Sequence, residues 1–275
     1  MREALAGRIL VLDGGLGTMI QGAGLGEEDF SYAPLRREGV SMRGCNDILP
    51  LSRPDVIAGI HRAYLDAGAD VIETDSFNSN AISLADYGLE EHSYELARAA
   101  AELARRTADE WMAEHAGEQR WVAGSIGPSN RSLSISPDVN DPAARSADWS
   151  EMRMAVKDQI RGLVDGGVDF LLFETCFDTL NLKAMLAAKQ EYEAENQCIV
   201  ECAISFTLTE SGRVLSGQTV AAALASVKHA RPLMIGLNCG FGAEGMRRWV
   251  EELSPIAPMA VSVYPNAGLP NEMGE

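Results

Sequence analysis

The sequence predicts a parallel α/β barrel that stops after its seventh strand. Three observations lead there. Apolar runs of strand length alternate with helical patterns along the whole chain, which implies parallel strands joined by right-handed crossovers. At 275 residues the chain has the length of one barrel domain, spanning 1–275. Finally, Asp66-Ala-Gly-Ala-Asp-Val-Ile-Glu73-Thr74 is echoed by Asp165-Gly-Gly-Val-Asp-Phe-Leu-Leu-Phe-Glu174-Thr175. Each copy is a helix stop, a strand and a terminal Glu-Thr, as stacked βα units would produce.

The elements follow in order. Arg8 to Leu12 reads as strand one, ending in the glycine-rich turn Asp13-Gly14-Gly15-Leu16-Gly17-Thr18. Residues 19–50 are punctuated by Gly and Pro and are expected to form a long loop. Pro54 opens a helix whose apolar Val56, Ile57, Ile60 and Tyr64 recur at helical spacing, and Gly68 closes it. Strand two is Val71-Ile72 leading to Glu73, and residues 91–115 form an Ala-rich charged helix. Strand three is Trp121 to Pro128, followed by a polar loop from Ser129 to Ser146 and a helix over 150–166. Val168 to Thr175 is strand four, and Thr179 to Glu193 a helix. Cys198 to Phe206, Leu233 to Cys239 and Met259 to Tyr264 give strands five, six and seven, separated by helices over 218–229 and 243–253. Only eleven residues follow Tyr264, too few for the roughly 30 to 40 of a further βα unit, so the eighth unit is expected to be missing.

Composition narrows the function. A net charge of −17 lacks the excess of clustered Lys and Arg that phosphate backbones require, so a nucleic-acid partner is excluded. No apolar run approaches the ~20 residues of a membrane span, and the amino terminus has no signal-peptide core. Five cysteines, an odd number, fit a reducing cytoplasmic setting with thiols free or metal-bound.

Barrel chemistry sits at the carboxyl ends of the strands. Those ends offer Asp13, Glu73, Ser125, Glu174, Thr207, Cys239 and Asn266. The ring is acidic, holds one thiol, and has no Lys, Arg or His. It suits a substrate carrying an ammonium, with Asp13 and Glu174 the best candidates to hold it. Each carboxylate could instead cap a helix or bond a loop. Gly14 and its neighbours form a turn that lets a ligand approach the backbone closely, and the spacing matches no phosphate-binding motif. None of the four histidines lies at a strand end. Cys239, taken alone, reads more readily as a small core residue than as a ligand, because zinc needs three or four donors and no C-x-x-C or H-x-x-x-H is present.

Longer stretches add a resemblance. Ile9 to Gln21, Asn46-Asp47, Arg53 to Ile57, Ala67 to Thr74, Phe77 to Ser79 and Ser134 to Pro142 are similar to the homocysteine-binding module that begins cobalamin-dependent methionine synthase, of the homocysteine S-methyltransferase family. So are Phe177 to Asn181, Ser211 to Thr219, Gly236 to Cys239 and Pro265 to Asn271. The resemblance implies a (β/α)8 TIM barrel that holds Zn2+ through one Cys after strand six and a Cys-Cys pair after strand eight. Cys239 matches the first ligand, and Asn266 an asparagine that approaches the metal when substrate is absent. Asp13, Gly14 and Glu174 match substrate-binding positions. The Gly-Gly-Cys-Cys motif has no counterpart in the sequence. The implied reaction is methylation of a homocysteine thiolate by methylcobalamin, with methylcobalamin and methyltetrahydrofolate bound by other modules of the same or a partner chain. A methyltransferase using a sulfonium or betaine-type donor directly, and a non-catalytic barrel without zinc, are the competing readings.

Overall fold

In the computed structural model, which describes residues 1–37 and 39–268, six parallel strands form one sheet in sequential order. They are β1 (Val71–Glu73), β2 (Trp121–Ile126), β3 (Phe170–Cys176), β4 (Cys202–Phe206), β5 (Met234–Gly242) and β6 (Ala260–Asn266). Every crossover carries a helix: Ser93–Glu114, Trp149–Asp165, Thr179–Asn196, Val220–Val227 and Ala243–Leu253, with Pro54–Asp66 leading into β1. The sheet curls into an incomplete barrel. Strands β2 and β4 are buried along their whole length because helices cover one face and barrel-interior side chains the other.

The expected strand one is a correction. Residues 8–12 lie beside β1, but only Leu12 pairs, in a parallel bridge to Val71, so the described sheet has six strands rather than seven. The physical reason is visible in its side chains: Ile9 is 88% exposed and Val11 54%, so little apolar surface is buried to hold the segment flat. Its anchor is instead Asp70, which accepts two hydrogen bonds from the Arg8 guanidinium (2.6 and 2.7 Å) and one from the Val11 amide at 2.8 Å. The other boundaries move by a few residues. Strand five loses Cys198 to Glu201, leaving Cys202–Phe206.

Residues 19–50 also differ from the expected irregular loop. They contain the end of a Leu16–Gly22 helix and short 3-10 turns at Glu27–Phe30, Ala33–Leu35 and Asn46–Ile48. This segment has a small core of its own, in which Ile20, Phe30, Leu35 and Ile48 pack with Ile57, Leu84 and Leu96.

The internal echo is structural. Gly68 and Gly167 end their helices at φ +100° and +90°, a backbone conformation open to glycine. The aspartates two residues on then do the same work: Asp70 accepts from the amide of Val11, and Asp169 Oδ2 accepts from the amide of Val122 at 2.7 Å. Each ties the start of its own strand to the preceding one. Glu73 and Glu174 therefore occupy equivalent places at the carboxyl ends of β1 and β3.

Two helices behind this sheet touch through glycine. A Cβ on Gly162 would lie 2.5 Å from the Tyr94 carbonyl oxygen and 3.0 Å from the Arg98 amide. Gly162→Ala is expected to destabilise the protein by ~1–3 kcal/mol through this clash, less a fraction regained from helix propensity. Urea unfolding of the two proteins measures it.

Candidate active site

The carboxyl ends of the strands bring three carboxyl groups together. Asp13, just past the Leu12 bridge, accepts a hydrogen bond from the Glu73 amide at 2.8 Å through Oδ2. Its Oδ1 is closed off from solvent and has no partner among the described residues. On β3, Glu174 is buried, accepting from the Ser125 hydroxyl through Oε1 and from the Tyr264 hydroxyl at 3.4 Å through Oε2. Glu73 lies close enough to Glu174 and Asp13 for their charges to act on it.

Burial is the main cause of the electrostatics here. It pushes the Asp13 carboxyl up to about 8, with the Glu174 charge adding to the rise and the Glu73 amide opposing it. Glu174 rises to about 7 for the same first reason, restrained by the hydroxyls of Ser125 and Tyr264. Glu73 rises well above the usual carboxylate range through burial and the charges of Glu174 and Asp13. Among the described residues no cation pairs with any of the three. An unpartnered buried carboxylate oxygen among like charges is costly unless a positive group arrives.

Cys239 stands on the other side of this cluster. Its backbone has φ +55°, and Thr175 on β3 has φ +53°, both unusual for side-chain-bearing residues and costing ~1–2 kcal/mol each. The ladder is irregular at the same places, between Phe173 and Cys176 and between Asn238 and Gly242. Such bulges re-aim side chains next to functional sites. Asn238 holds both bends. It accepts from the Ser205 hydroxyl (2.7 Å) and the Thr175 amide (3.1 Å). It donates to Thr175 Oγ1 (2.8 Å) and Cys239 Sγ (3.2 Å). All four bonding positions of the amide are filled. Burial raises the Cys239 thiol, while the Asn238 donor lowers it.

The ring read from the sequence is thus partly assembled. Asp13 is bonded to the Glu73 amide and Glu174 to the Ser125 hydroxyl, with the three carboxyl groups near one another. Cys239 reaches them through Asn238 and Thr175. Thr207 lies under Gly240, where an added Cβ would come within 3.4 Å of its Oγ1. Asn266 is half-buried and pairs across the ladder with Gly242. Gly14 is exposed at the turn after Asp13, and its missing Cβ makes room for the Tyr64 hydroxyl, 2.9 Å from where that atom would sit. Leu269 to Asn271 of the last motif lie outside the described residues.

Two contributors were not singled out from the sequence. Tyr264 was read only as the end of a strand, and its hydroxyl role depends on β6 reaching Glu174 on β3, three strands away. Asn238 was signalled by the polar stop of an apolar run, but its four bonds come from three strands. Among the described residues, no group of three His, Cys, Asp or Glu side chains is placed to hold a metal ion. Cys176 and Cys202 are buried core residues and Cys198 is exposed; none of the five cysteines is paired.

Comparison with known proteins agrees with this fold. Two solved forms of the homocysteine methyltransferase MmuM from Escherichia coli share the fold. The metallated form superposes with a TM-score of 0.77 at 22% identity, covering 96% of this chain and 86% of that one. The apo form gives 0.70 at 23%, covering 95% and 83%. The homocysteine S-methyltransferase family model matches residues 10–275. By that match, over nearly its whole length, the chain belongs to the homocysteine S-methyltransferase family.

Proposed function

We propose that this chain is the homocysteine-binding barrel of a methionine synthase, presenting the substrate thiol to a methylcobalamin held by a separate module. The observation that carries the substrate is the Asp13–Glu73–Glu174 cluster, whose buried Asp13 Oδ1 lacks a partner. The ammonium of homocysteine would fill that vacancy, bridging Asp13 and Glu174. Gly14, at the exposed turn beside Asp13, offers backbone to the same ligand. Burial of the carboxylates keeps water from competing for the ammonium and strengthens each contact.

A zinc ion fits in part. Cys239 suits one of its positions: the thiol is half-buried, sits on a bent strand end, and has the Asn238 amide N–H directed at sulfur, which favours a thiolate. Asn266, near the end of the neighbouring strand, offers a weak oxygen donor. Zinc needs three or four ligands, so the others must come from outside the described residues. When bound, the ion would supply Lewis-acid chemistry that deprotonates a thiol otherwise titrating at about pH 8.5. The protein's own part is to hold the amino acid by its ammonium with the sulfur toward Cys239. The unpaired cysteines are in keeping with a reducing cytoplasm. Among the described residues no helix is long and apolar enough to cross a membrane.

The test gives the protein expressed from its gene homocysteine with methylcobalamin, or with betaine or S-methylmethionine and no corrinoid. Methionine formation with methylcobalamin alone supports the proposal. Turnover with a small donor and no corrinoid contradicts it. Cys239→Ser is expected to remove at least about half of any bound zinc while leaving the unfolding midpoint within a few degrees. Metal analysis and thermal unfolding measure the two. Full zinc content in the variant would return Cys239 to a packing role.

A further inference from the structure

In each half of the internal echo the strand-end glutamate is followed by a threonine, Thr74 after Glu73 and Thr175 after Glu174. Thr175 is tied to Asn238 on β5. Thr74 is tied to β2, and its bonds close a ring. The Ser125 amide donates to Thr74 Oγ1 at 2.9 Å, and Ser76 Oγ donates to the Ser125 carbonyl at 2.8 Å. The hydroxyls of Thr74 and Ser76 lie 2.6 Å apart. A hydroxyl has one proton to give, and that of Ser76 goes to the Ser125 carbonyl, so Thr74 donates to Ser76. All three residues are buried. From the helix behind, Trp149–Asp165, the fully buried Gln159 donates to the Ser76 carbonyl at 2.7 Å and reaches the Ser125 carbonyl at 3.4 Å.

We propose that Thr74 is a positioning residue: through this ring it fixes the backbone of Ser125, and so aims the Ser125 hydroxyl at Glu174. This deepens, and rests on, the reading of Asp13 and Glu174 as holders of the substrate's ammonium. The ring stands where the backbone ladder gives out. Strand β1 ends at Glu73, opposite Ala123, while β2 runs on to Ile126. Beyond that pair, side chains that have already left β1 satisfy both the amide and the carbonyl of Ser125. With its main chain held, Ser125 has its hydroxyl free to donate to Glu174 Oε1. Buried hydrogen bonds in a closed chain polarise one another, so the ring holds Ser125 more firmly than its members would singly. The effect falls on one glutamate of the echo. Glu174 accepts from the hydroxyls of Ser125 and Tyr264, whereas among the described residues no hydroxyl is directed at the Glu73 carboxyl.

Calorimetric titration of Thr74→Val and Thr74→Ser with homocysteine tests this. As a control ligand, 4-mercaptobutanoate has the thiol and carboxylate of homocysteine and no amino group. Valine keeps the shape of threonine and removes the hydroxyl, leaving the Ser125 amide without its acceptor. Affinity of that variant for homocysteine is expected to fall about fivefold or more, the scale of one hydrogen bond. Serine keeps the oxygen, so its affinity is expected within about twofold of the unsubstituted protein. Neither substitution should change affinity for 4-mercaptobutanoate, because only the ammonium contact depends on Glu174. Should the valine variant fail to fold, Ser76→Ala opens the ring from its other side and takes its place with the same expected loss. Full affinity in the ring-opened variant, a serine variant as weak as the valine one, or an equal loss for both ligands would overturn the proposal. An unsubstituted protein that binds the two ligands equally would overturn the ammonium reading itself, before any variant is measured.

Discussion

Replacing Glu174 with alanine is expected to weaken homocysteine binding by about two orders of magnitude, the scale of breaking one side of a desolvated charge pair. The side chain is buried, and its oxygens are aimed by Ser125 and Tyr264, so water cannot replace it cheaply. Asp13 alone would then face the ammonium, with its Oδ2 already engaged by the Glu73 amide. Glu174→Gln should fall between, since the amide keeps the shape and loses the charge. Calorimetric titration of the variants checks both values. An alanine variant within about threefold of the unsubstituted protein would place the ammonium elsewhere.

The largest expected effect on stability is at Asn238. Asn238→Leu removes four hydrogen bonds and strands the Ser205 hydroxyl and the Thr175 amide in the barrel. A loss on the order of 3 kcal/mol is expected, from buried polar groups left without partners. The damage should extend to the site. Thr175 and Cys239 hold positive φ angles that only surrounding contacts enforce, and the amide bonds to both. Without it the bends can relax and turn the thiol away. Urea unfolding gives the first effect, and the rate of Cys239 alkylation in a variant lacking the exposed Cys198 reports the second. Unchanged stability would mean that the bends are held by other contacts.

Much of this arrangement was legible in the chain because barrel physics links position to role. Parallel strands are buried on both faces, so Trp121–Ile126 and Phe170–Cys176 read as continuous apolar runs, and their polar stops mark the site. The expectation of an ammonium site at Asp13 and Glu174 came from the signs of the ring, and both carboxyl groups do meet at one end of the sheet. Residues 8–12 misled because a short apolar run signals a strand whether or not a neighbour covers it. Ile9 and Val11 remain exposed and the ladder closes at one residue. Residues 19–50 looked irregular because each helical turn is too short to show a period, although together they bury Ile20, Phe30 and Leu35. Asn238 and Tyr264 could not be weighted correctly, since their partners lie 30 to 90 residues away in sequence. The distinction between Glu73 and Glu174 is of the same kind. Identical residues in matching repeats differ only through the hydroxyls that other strands supply.

The carboxyl cluster also sets a pH dependence. The folded-state values of Glu174 and Asp13, about 7 and about 8, lie above those of an unfolded chain. The stability they contribute is complete below about pH 4 and is lost as pH rises through 7 and 8. A bound ammonium favours their ionised forms, so homocysteine binding must release protons across that range. The measurement that tests the central claim most directly is homocysteine affinity by calorimetry from pH 6 to pH 8.5, in buffers of differing ionisation enthalpy. The account predicts affinity rising with pH and proton release on binding, both reduced for 4-mercaptobutanoate. Affinity that is flat or falls across this interval, with no protons released, would contradict it.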